Sequence, residues 1–237
     1  MSEATTYLEL RDLRVSYGKV EALHGISVHV EQGEIVTIPG ANGAGKTTLI
    51  RLVCGLQAPT AGDYTLYGVP HTAPEIHKAR RRMGAVVETP SVYLDLTAAD
   101  NLKLQYRLLG LPSEEGIPEL LHLVGLGDTG KKKARHFSLG MRQRLAIAQA
   151  IMEDPAILLL DEPLNGLDYE GVKTVYDILK VQKERGKIIL VASHHEEDIR
   201  LLCDEVYWLK DGILERIEDI SEYTRFKEEW VKNEKTD

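Results

Sequence analysis

Residues 40–47 read Gly40-Ala41-Asn42-Gly43-Ala44-Gly45-Lys46-Thr47, a glycine and four further residues followed by glycine, lysine and a hydroxyl residue. A short β-branched run at 34–38 precedes this stretch, and a helix-forming run at 46–55 follows it. Glycines let a backbone curl with its N–H groups turned inward, because a Cβ would block the curl or the approach of a ligand. The order strand, glycine-rich loop and helix predicts an α/β fold with an anion site where the helix begins.

The lysine and the threonine of this stretch, with Thr48 directly after it, specify the anion. The spacing matches the phosphate-binding loop, or P-loop, in which Lys46 would reach the β- and γ-phosphates of a nucleoside triphosphate. Thr47 would offer its hydroxyl to Mg²⁺, and Thr48 is placed for the α-phosphate. Average composition produces such a pattern by accident in about one chain in a hundred of this length. A glycine-rich turn without a ligand is therefore the weaker interpretation.

The composition excludes several other classes of protein. The 237 residues are 43% hydrophobic and 28% charged, which is typical of a globular chain with one large domain or two small ones. Acidic residues outnumber basic ones by 37 to 29, a balance that argues against binding to nucleic acid or to an anionic membrane surface. The longest apolar runs, 156–160 and 188–192, are far shorter than the roughly 18 residues of a spanning helix. We expect no direct membrane insertion, so any membrane function requires a partner chain.

Two further patterns predict the secondary structure outside the loop. Residues 7–15 and 26–30 alternate apolar with polar side chains, which favours a β-rich N-terminal layer of half-buried antiparallel strands. Residues 98–152 are leucine-rich with a helical period, broken at 110–112 and at 125–130. This block therefore predicts an α-helical subdomain.

A βαβ unit follows the helical block. Two apolar strands are predicted at 157–160 and 187–192, with a helix at 171–184 between them. The final residues, 215–237, are rich in Glu and Lys and predict a solvated helix or tail.

Two adjacent carboxylates, Asp161 and Glu162, come directly after the first of these strands. α/β sheets bind ligands at the carboxyl ends of their strands. Asp161 would hold Mg²⁺ through water, and Glu162 would act as the general base that activates a water. Together with the P-loop, the pair predicts a nucleotide hydrolase.

Ser138 precedes a predicted helix at 143–152 in the stretch 137–143, Phe-Ser-Leu-Gly-Met-Arg-Gln. A serine and the free amides at a helix start could form a second anion site. By spacing alone, an ordinary capped helix is the favoured interpretation.

Taken together, these segments resemble the nucleotide-binding subunit of an ABC transporter, and the resemblance covers nearly the whole chain. The ABC signature, usually Leu-Ser-Gly-Gly-Gln, corresponds to residues 137–141 and implies that Ser138 and Gly140 contact ATP. Residues 165–168, Asn-Gly-Leu-Asp, resemble the D-loop, with Asp168 at the dimer seam. His194 resembles the switch histidine, and Tyr17 resembles the aromatic residue that stacks on adenine.

The sequence departs from the family pattern at two positions. Glu88 stands where glutamine is usual, and its carboxylate could ligate Mg²⁺ or repel the γ-phosphate. Leu139 replaces the first signature glycine, which narrows the backbone freedom at that position. With residues 93–97, these departures resemble the branch of bacitracin and lantibiotic exporters. The alternative is local drift in a generic exporter ATPase.

The resemblance implies a single ABC ATPase domain over residues 1–237. Its P-loop NTPase core, of the RecA-like type, would span about 1–87 and 153–214, the helical subdomain about 88–152, and the charged tail about 215–237. The implied cofactors are ATP and Mg²⁺, with Glu162 and His194 as catalytic residues. The implied assembly is a homodimer, or a pair with another ABC subunit, closed around two ATP molecules.

The resemblance also implies a cellular location and leaves alternative functions open. Integral membrane permease subunits would be the partners, and the chain would lie on the cytoplasmic face of the membrane and power export of a peptide antibiotic or a drug. A soluble ABC ATPase of repair or translation remains the alternative, although only about 90 residues separate the P-loop from the signature and they contain no heptad insertion. A P-loop kinase or GTPase is disfavoured, because the helix start at 138–143 would have no functional role in such a protein.

Overall fold

The computed structural model describes residues 8–111, 113–193 and 203–217, whose strands form two sheets. The first sheet is antiparallel, with the order β2-β1-β4-β5. Its strands are β1 (Leu8–Tyr17), β2 (Val20–Val30), β4 (Ala61–Leu66) and β5 (Val69–Pro70). Its apolar residues at alternating positions are buried, as in Leu8, Leu10 and Val15. The predicted N-terminal antiparallel layer is confirmed, whereas the β4–β5 hairpin was not predicted.

The second sheet has the order β10-β9-β3-β8-β7-β6 and is mostly parallel. Its strands are β3 (Ile35–Pro39), β6 (Met83–Val86), β7 (Ile157–Asp161), β8 (Ile188–Ser193), β9 (Glu205–Lys210) and β10 (Ile213–Ile217). Every residue of β3, β7 and β8 is buried. The predicted parallel strands and the βαβ unit are confirmed.

Six α-helices occur among the described residues. They are α1 (Lys46–Val53), α2 (Ile76–Arg80), α3 (Ala98–Leu109), α4 (Ile117–Leu123), α5 (Leu139–Ile151) and α6 (Tyr169–Glu184). The helix α3 ends at Gly110 in the left-handed conformation, so the predicted break falls where glycine permits it. None of the helices described here is long and apolar enough to cross a bilayer.

The parallel sheet separates two hydrophobic cores. Leu159 and Leu190 face the core shared with α1 and the antiparallel sheet. Their neighbours Leu158 and Ile189 face the core shared with α5 and α6. Because successive residues of a strand point to opposite faces, a strand buried on both faces carries no polar alternation. This explains the continuous apolar runs of β7 and β8.

One predicted boundary is corrected at the C-terminal end. Residues 215–217, placed at the start of a charged helix or tail, belong to the edge strand β10. An edge strand exposes one side to water, and Arg216 pairs there with Glu205, so charged residues are tolerated. The remainder of the predicted tail, 218–237, lies outside the described residues. The predicted bounds of the core and the helical subdomain stay predictions.

The segment 93–97 is held by one buried side chain of α3. Asn101 is fully buried, and its Nδ2 donates to the carbonyl oxygens of Tyr93 at 3.0 Å and Thr97 at 2.9 Å. Its Oδ1 accepts from the Tyr93 amide at 2.7 Å. The segment is also joined to the chain before α5, because the Ala134 amide donates to the Leu96 carbonyl oxygen at 2.9 Å.

Replacing Asn101→Ala should lower the free energy of unfolding by about 2–4 kcal/mol, because three hydrogen bonds made by a fully buried side chain are lost. Urea unfolding followed by circular dichroism measures the change. Lys103→Ala, in the same turn of α3, is the control and should shift the free energy by less than about 0.5 kcal/mol. Equal effects of the two substitutions would contradict the role assigned to Asn101.

Candidate nucleotide-binding site

The loop 40–45 leaves the carboxyl end of β3 and leads into α1. Gly43 and Gly45 have positive φ angles of 85° and 109°, which side-chain-bearing residues rarely adopt. A Cβ on Gly40 would overlap the carbonyl oxygen of Leu209 on the neighbouring strand β9. The glycines therefore permit both the curl of the loop and its close packing on the sheet.

Lys46 is the first residue of α1, and its side chain is only 6% exposed. The Nζ donates to the carbonyl oxygen of Gly40 and, at 3.1 Å, to that of Ala41. It also lies 3.5 Å from Oε1 of Glu162. The ammonium thus lies inside the curl of the loop, beside the positive end of the α1 dipole.

Thr47 and Asp161 meet across the site. The Thr47 hydroxyl donates to Oδ2 of Asp161 at 2.7 Å. Asp161 is 1% exposed, and its buried Oδ1 has no hydrogen-bond partner among the described residues. Burial raises the pKa of Asp161, against the lowering effect of the hydrogen bond from the Thr47 hydroxyl. A buried carboxylate oxygen without a donor and a hydroxyl oxygen beside it are ligands of the kind that Mg²⁺ takes.

Glu162 follows β7 in a left-handed backbone conformation, with φ 49°. Its amide donates to the Ala192 carbonyl oxygen of β8 at 2.8 Å, which fixes this conformation. A left-handed non-glycine residue costs about 1–2 kcal/mol, and such strain clusters at functional sites. The turn directs the Glu162 carboxylate toward Lys46.

The signature residues lie at the start of α5. The Oγ of Ser138 accepts from the Met141 amide at 3.1 Å, so the predicted N-cap is present and uses an oxygen lone pair rather than the hydroxyl hydrogen. Gly140 is buried against the loop 162–168. Gln143 is 2% exposed, and its Nε2 donates to the Glu162 carbonyl oxygen at 3.4 Å. The signature turn therefore rests on the loop that carries Glu162.

Asp168 closes that loop. Its carboxylate accepts from the Gly171 amide at 2.9 Å and caps α6. The structure thus gives Asp168 a role within its own chain, and its role at a dimer seam stays a prediction.

Tyr17 and Glu88 lie at the margins of the site. Tyr17 is 52% exposed at the end of β1, and its hydroxyl donates to Oε1 of Gln57. Glu88 has a positive φ of 59°, and its carboxylate lies 3.3 Å from the Arg51 guanidinium in the last turn of α1. Sequence reasoning missed Arg51, because no local spacing links it to Glu88. The metal role of Glu88 stays a prediction, and His194 lies outside the described residues.

Comparison with known proteins decides the family. The family model described as ABC transporter matches residues 23–165, more than half of the chain. This chain belongs to the ABC transporter family. The predicted family, the fold class and the assignment as an ATPase are thereby confirmed.

Two relatives of this ABC protein are named for the compound that is transported. It is 39% identical over 215 residues to the bacitracin transport ATP-binding protein BcrA of Bacillus licheniformis, covering 90% of this chain and 70% of that protein. It is 36% identical over 217 residues to the lantibiotic transport ATP-binding protein SrtF of Streptococcus pyogenes, covering 91% and 93%. By name, the first relative is an ATP-binding protein of bacitracin transport and the second an ATP-binding protein of lantibiotic transport.

Two solved structures are similar to this ABC protein throughout the fold. An ATP-binding subunit of an ABC transporter has a TM-score of 0.83 at 30% identity, covering 96% of this chain and 99% of that one. A dimeric ATP-binding cassette in a post-hydrolysis state, bound to ADP and Pi, has a TM-score of 0.80 at 27% identity, covering 90% and 98%.

Lys46→Ala should abolish measurable ATP binding, a loss of about 100-fold or more, because the buried ammonium and its charge-assisted bonds to phosphate are removed. Isothermal titration of the purified chain with ATP measures the affinity. Lys131→Ala, at an exposed position in the loop before α5, should bind ATP as the unmodified chain does. Unchanged affinity in Lys46→Ala would overturn the P-loop assignment.

Proposed function

We propose that this ABC protein hydrolyses ATP as a dimer closed around two nucleotides and thereby powers export through separate membrane subunits. The proposal rests on the presence of two separate elements on one chain that can bind phosphate, the P-loop and the start of α5. Lys46, Thr47 and Asp161 meet at the carboxyl end of the parallel sheet, and Ser138 caps a helix elsewhere on the surface. The bacitracin and lantibiotic transport relatives support a peptide antibiotic as the cargo.

The triphosphate binds along the loop and the start of α1. Amides of the loop contact the β-phosphate, Lys46 contacts the β- and γ-phosphates, and Thr48 contacts the α-phosphate. Tyr17, at the exposed end of β1, stacks on the adenine. The loop residues in these roles are Gly40, Ala41, Asn42, Gly43, Ala44 and Gly45.

The residues at the sheet edge also fit Mg²⁺. Thr47 and Asp161 hold the ion, because a hydroxyl oxygen and an otherwise unpartnered carboxylate oxygen lie together there. Glu88 is a further candidate ligand once its carboxylate leaves Arg51. The bound ion supplies neutralisation of the charge that develops on the phosphate oxygens.

Glu162 is the general base of hydrolysis. Its carboxylate accepts a proton from water while the water oxygen attacks the γ-phosphorus, and the bond from that phosphorus to the bridging oxygen breaks to release ADP. The distance of 3.5 Å to Nζ of Lys46 supports a position at the tail of the triphosphate. His194, outside the described residues, is proposed to contact the γ-phosphate.

The dimer follows from the number of sites on each chain. In the proposed arrangement, the P-loop and the signature of one chain face different nucleotides. Two copies, or this chain and a related subunit, therefore pack head to tail to enclose each nucleotide. Ser138 and Gly140 of each copy then close the nucleotide of the other, and Asp168 lies at the seam. The dimeric cassette with ADP and Pi supports this arrangement. Opening of the dimer after hydrolysis drives an alternating-access change in the membrane subunits.

The membrane partners contact the helical block together with residues 88–96. A cavity of about 530 Å³ opens there between the edge strand β6 and α3. The segment 88–96 also carries two exposed apolar side chains, Tyr93 at 53% and Leu94 at 49%. Through these partners the chain is held at the cytoplasmic face of the membrane.

Glu162→Gln should trap a dimer in the presence of ATP and Mg²⁺, because ATP still binds while hydrolysis slows about 10²–10⁴-fold without the base. Sedimentation velocity with and without ATP, together with phosphate release, measures both effects. Glu170→Gln, at an exposed position in the first turn of α6, should hydrolyse ATP normally. A Glu162→Gln chain that remains monomeric with ATP and Mg²⁺ would contradict the closed dimer.

Affinity purification from the native cell should recover an integral membrane protein with this chain. Replacing Tyr93 and Leu94 together by serine should reduce the recovery about tenfold, because two apolar contacts are lost. Leu56→Ser, at an exposed leucine after α1, is the control and should retain the partner. Recovery of ribosomes or DNA ends instead would favour a soluble ABC ATPase of translation or repair.

A further inference from the structure

Leu139, the residue that departs from the usual signature, packs on a glycine of the loop 162–168. Gly166 has a positive φ of 74°, and a Cβ there would lie 2.6 Å from Cδ2 and 2.8 Å from Cγ of Leu139. The side chain of Leu139 therefore lies directly over the Gly166 backbone. No larger residue fits at position 166 unless Leu139 moves.

A reciprocal contact lies on the other side. A Cβ on Gly140 would lie 2.7 Å from the Gly166 carbonyl oxygen and 3.1 Å from Cδ2 of Leu167. The two glycines thus allow the start of α5 and the loop to interlock. The bond from Gln143 to the Glu162 carbonyl oxygen adds a third connection one turn further along α5.

Leu139 does not fit an ordinary core position. Its side chain is 43% exposed, so burial of the leucine alone gives little stability. It is the first residue of α5 and has a regular helical backbone, so this chain needs no glycine freedom there. What the side chain adds is the contact with Gly166.

We propose that Leu139 is a positioning residue that couples the two nucleotide sites of the dimer through its contact with Gly166. The inference rests on the proposed function, in which Ser138 faces the partner's nucleotide and Glu162 faces its own. Leu139 follows Ser138 directly, and Gly166 lies four residues after Glu162. Closure of the signature on one nucleotide thereby constrains the loop that holds the base at the other.

The test is the ATP dependence of hydrolysis. The unmodified chain should show a Hill coefficient above 1, and Leu139→Ala should lower it to about 1. ATP affinity at protein concentrations too low for dimerisation should stay unchanged, because the P-loop is intact. Leu139→Met, which keeps an apolar side chain of similar volume, should restore the coefficient. Leu123→Ala, at a leucine that is 47% exposed at the end of α4, is the matched control and should not change it.

A double-mutant cycle isolates the contact. Gly166→Ala places a methyl group against Leu139 and should reduce ATP turnover, and this reduction should be about fivefold smaller in the Leu139→Ala background. The backbone strain of alanine at a positive φ is the same in both backgrounds and cancels. The cycle therefore reports only the interaction between the two positions.

Four outcomes would overturn the inference. The first is a Hill coefficient in Leu139→Ala equal to that of the unmodified chain, and the second is additive effects of the two substitutions in the cycle. The third is a loss of ATP affinity in monomeric Leu139→Ala as large as its loss of turnover. The fourth is hydrolysis by the unmodified chain with a Hill coefficient of 1. Absence of ATP hydrolysis in the unmodified chain would instead refute the proposed function itself.

Discussion

The structure depends on one buried positive charge. The Lys46 ammonium lies between two carbonyl oxygens of its own loop and the Glu162 carboxylate, with only 6% of the side chain exposed. Burial of a charge is costly unless every donor finds an oxygen. Phosphate oxygens can exchange for these carbonyl and carboxylate oxygens, so the lysine defines where a triphosphate lies. The loop, the residues proposed to hold Mg²⁺ and the proposed base Glu162 are all arranged around that position.

The parallel sheet brings these groups to one place. The P-loop leaves β3 and the Asp161-Glu162 pair leaves β7, with β8 between the two strands. Because parallel strands end at the same edge, residues more than one hundred positions apart meet there, as the bond between Thr47 and Asp161 shows. The loop 162–168 begins at this edge and packs against the start of α5. A single short segment thus links Glu162 to the signature turn.

Much of this arrangement could be predicted because it follows local rules. Continuous apolar runs predicted β7 and β8, and the P-loop spacing and the N-cap at Ser138 could be read over a few residues. The β4–β5 hairpin could not, since 61–66 alternates weakly and contains a glycine. The strand β10 was missed for a related reason, because its charged residues are tolerated only at a sheet edge.

The long-range pairs were invisible in the sequence. Nothing in local spacing joins Arg51 to Glu88, or Leu139 to Gly166, because each pair is formed by elements that meet only in the folded chain. The helix cap made by Asp168 is a local feature, but it was not predicted, because the family resemblance assigned Asp168 to the dimer seam.

The proposed mechanism requires each triphosphate to be enclosed by two copies of the chain. The most direct measurement is the structure of the Glu162→Gln chain with ATP and Mg²⁺. The γ-phosphate should lie within hydrogen-bond reach of Nζ of Lys46 from one copy and of the Ser138 hydroxyl from the other. A γ-phosphate bound by Lys46 but open to bulk water, with no second copy beside it, would contradict the account.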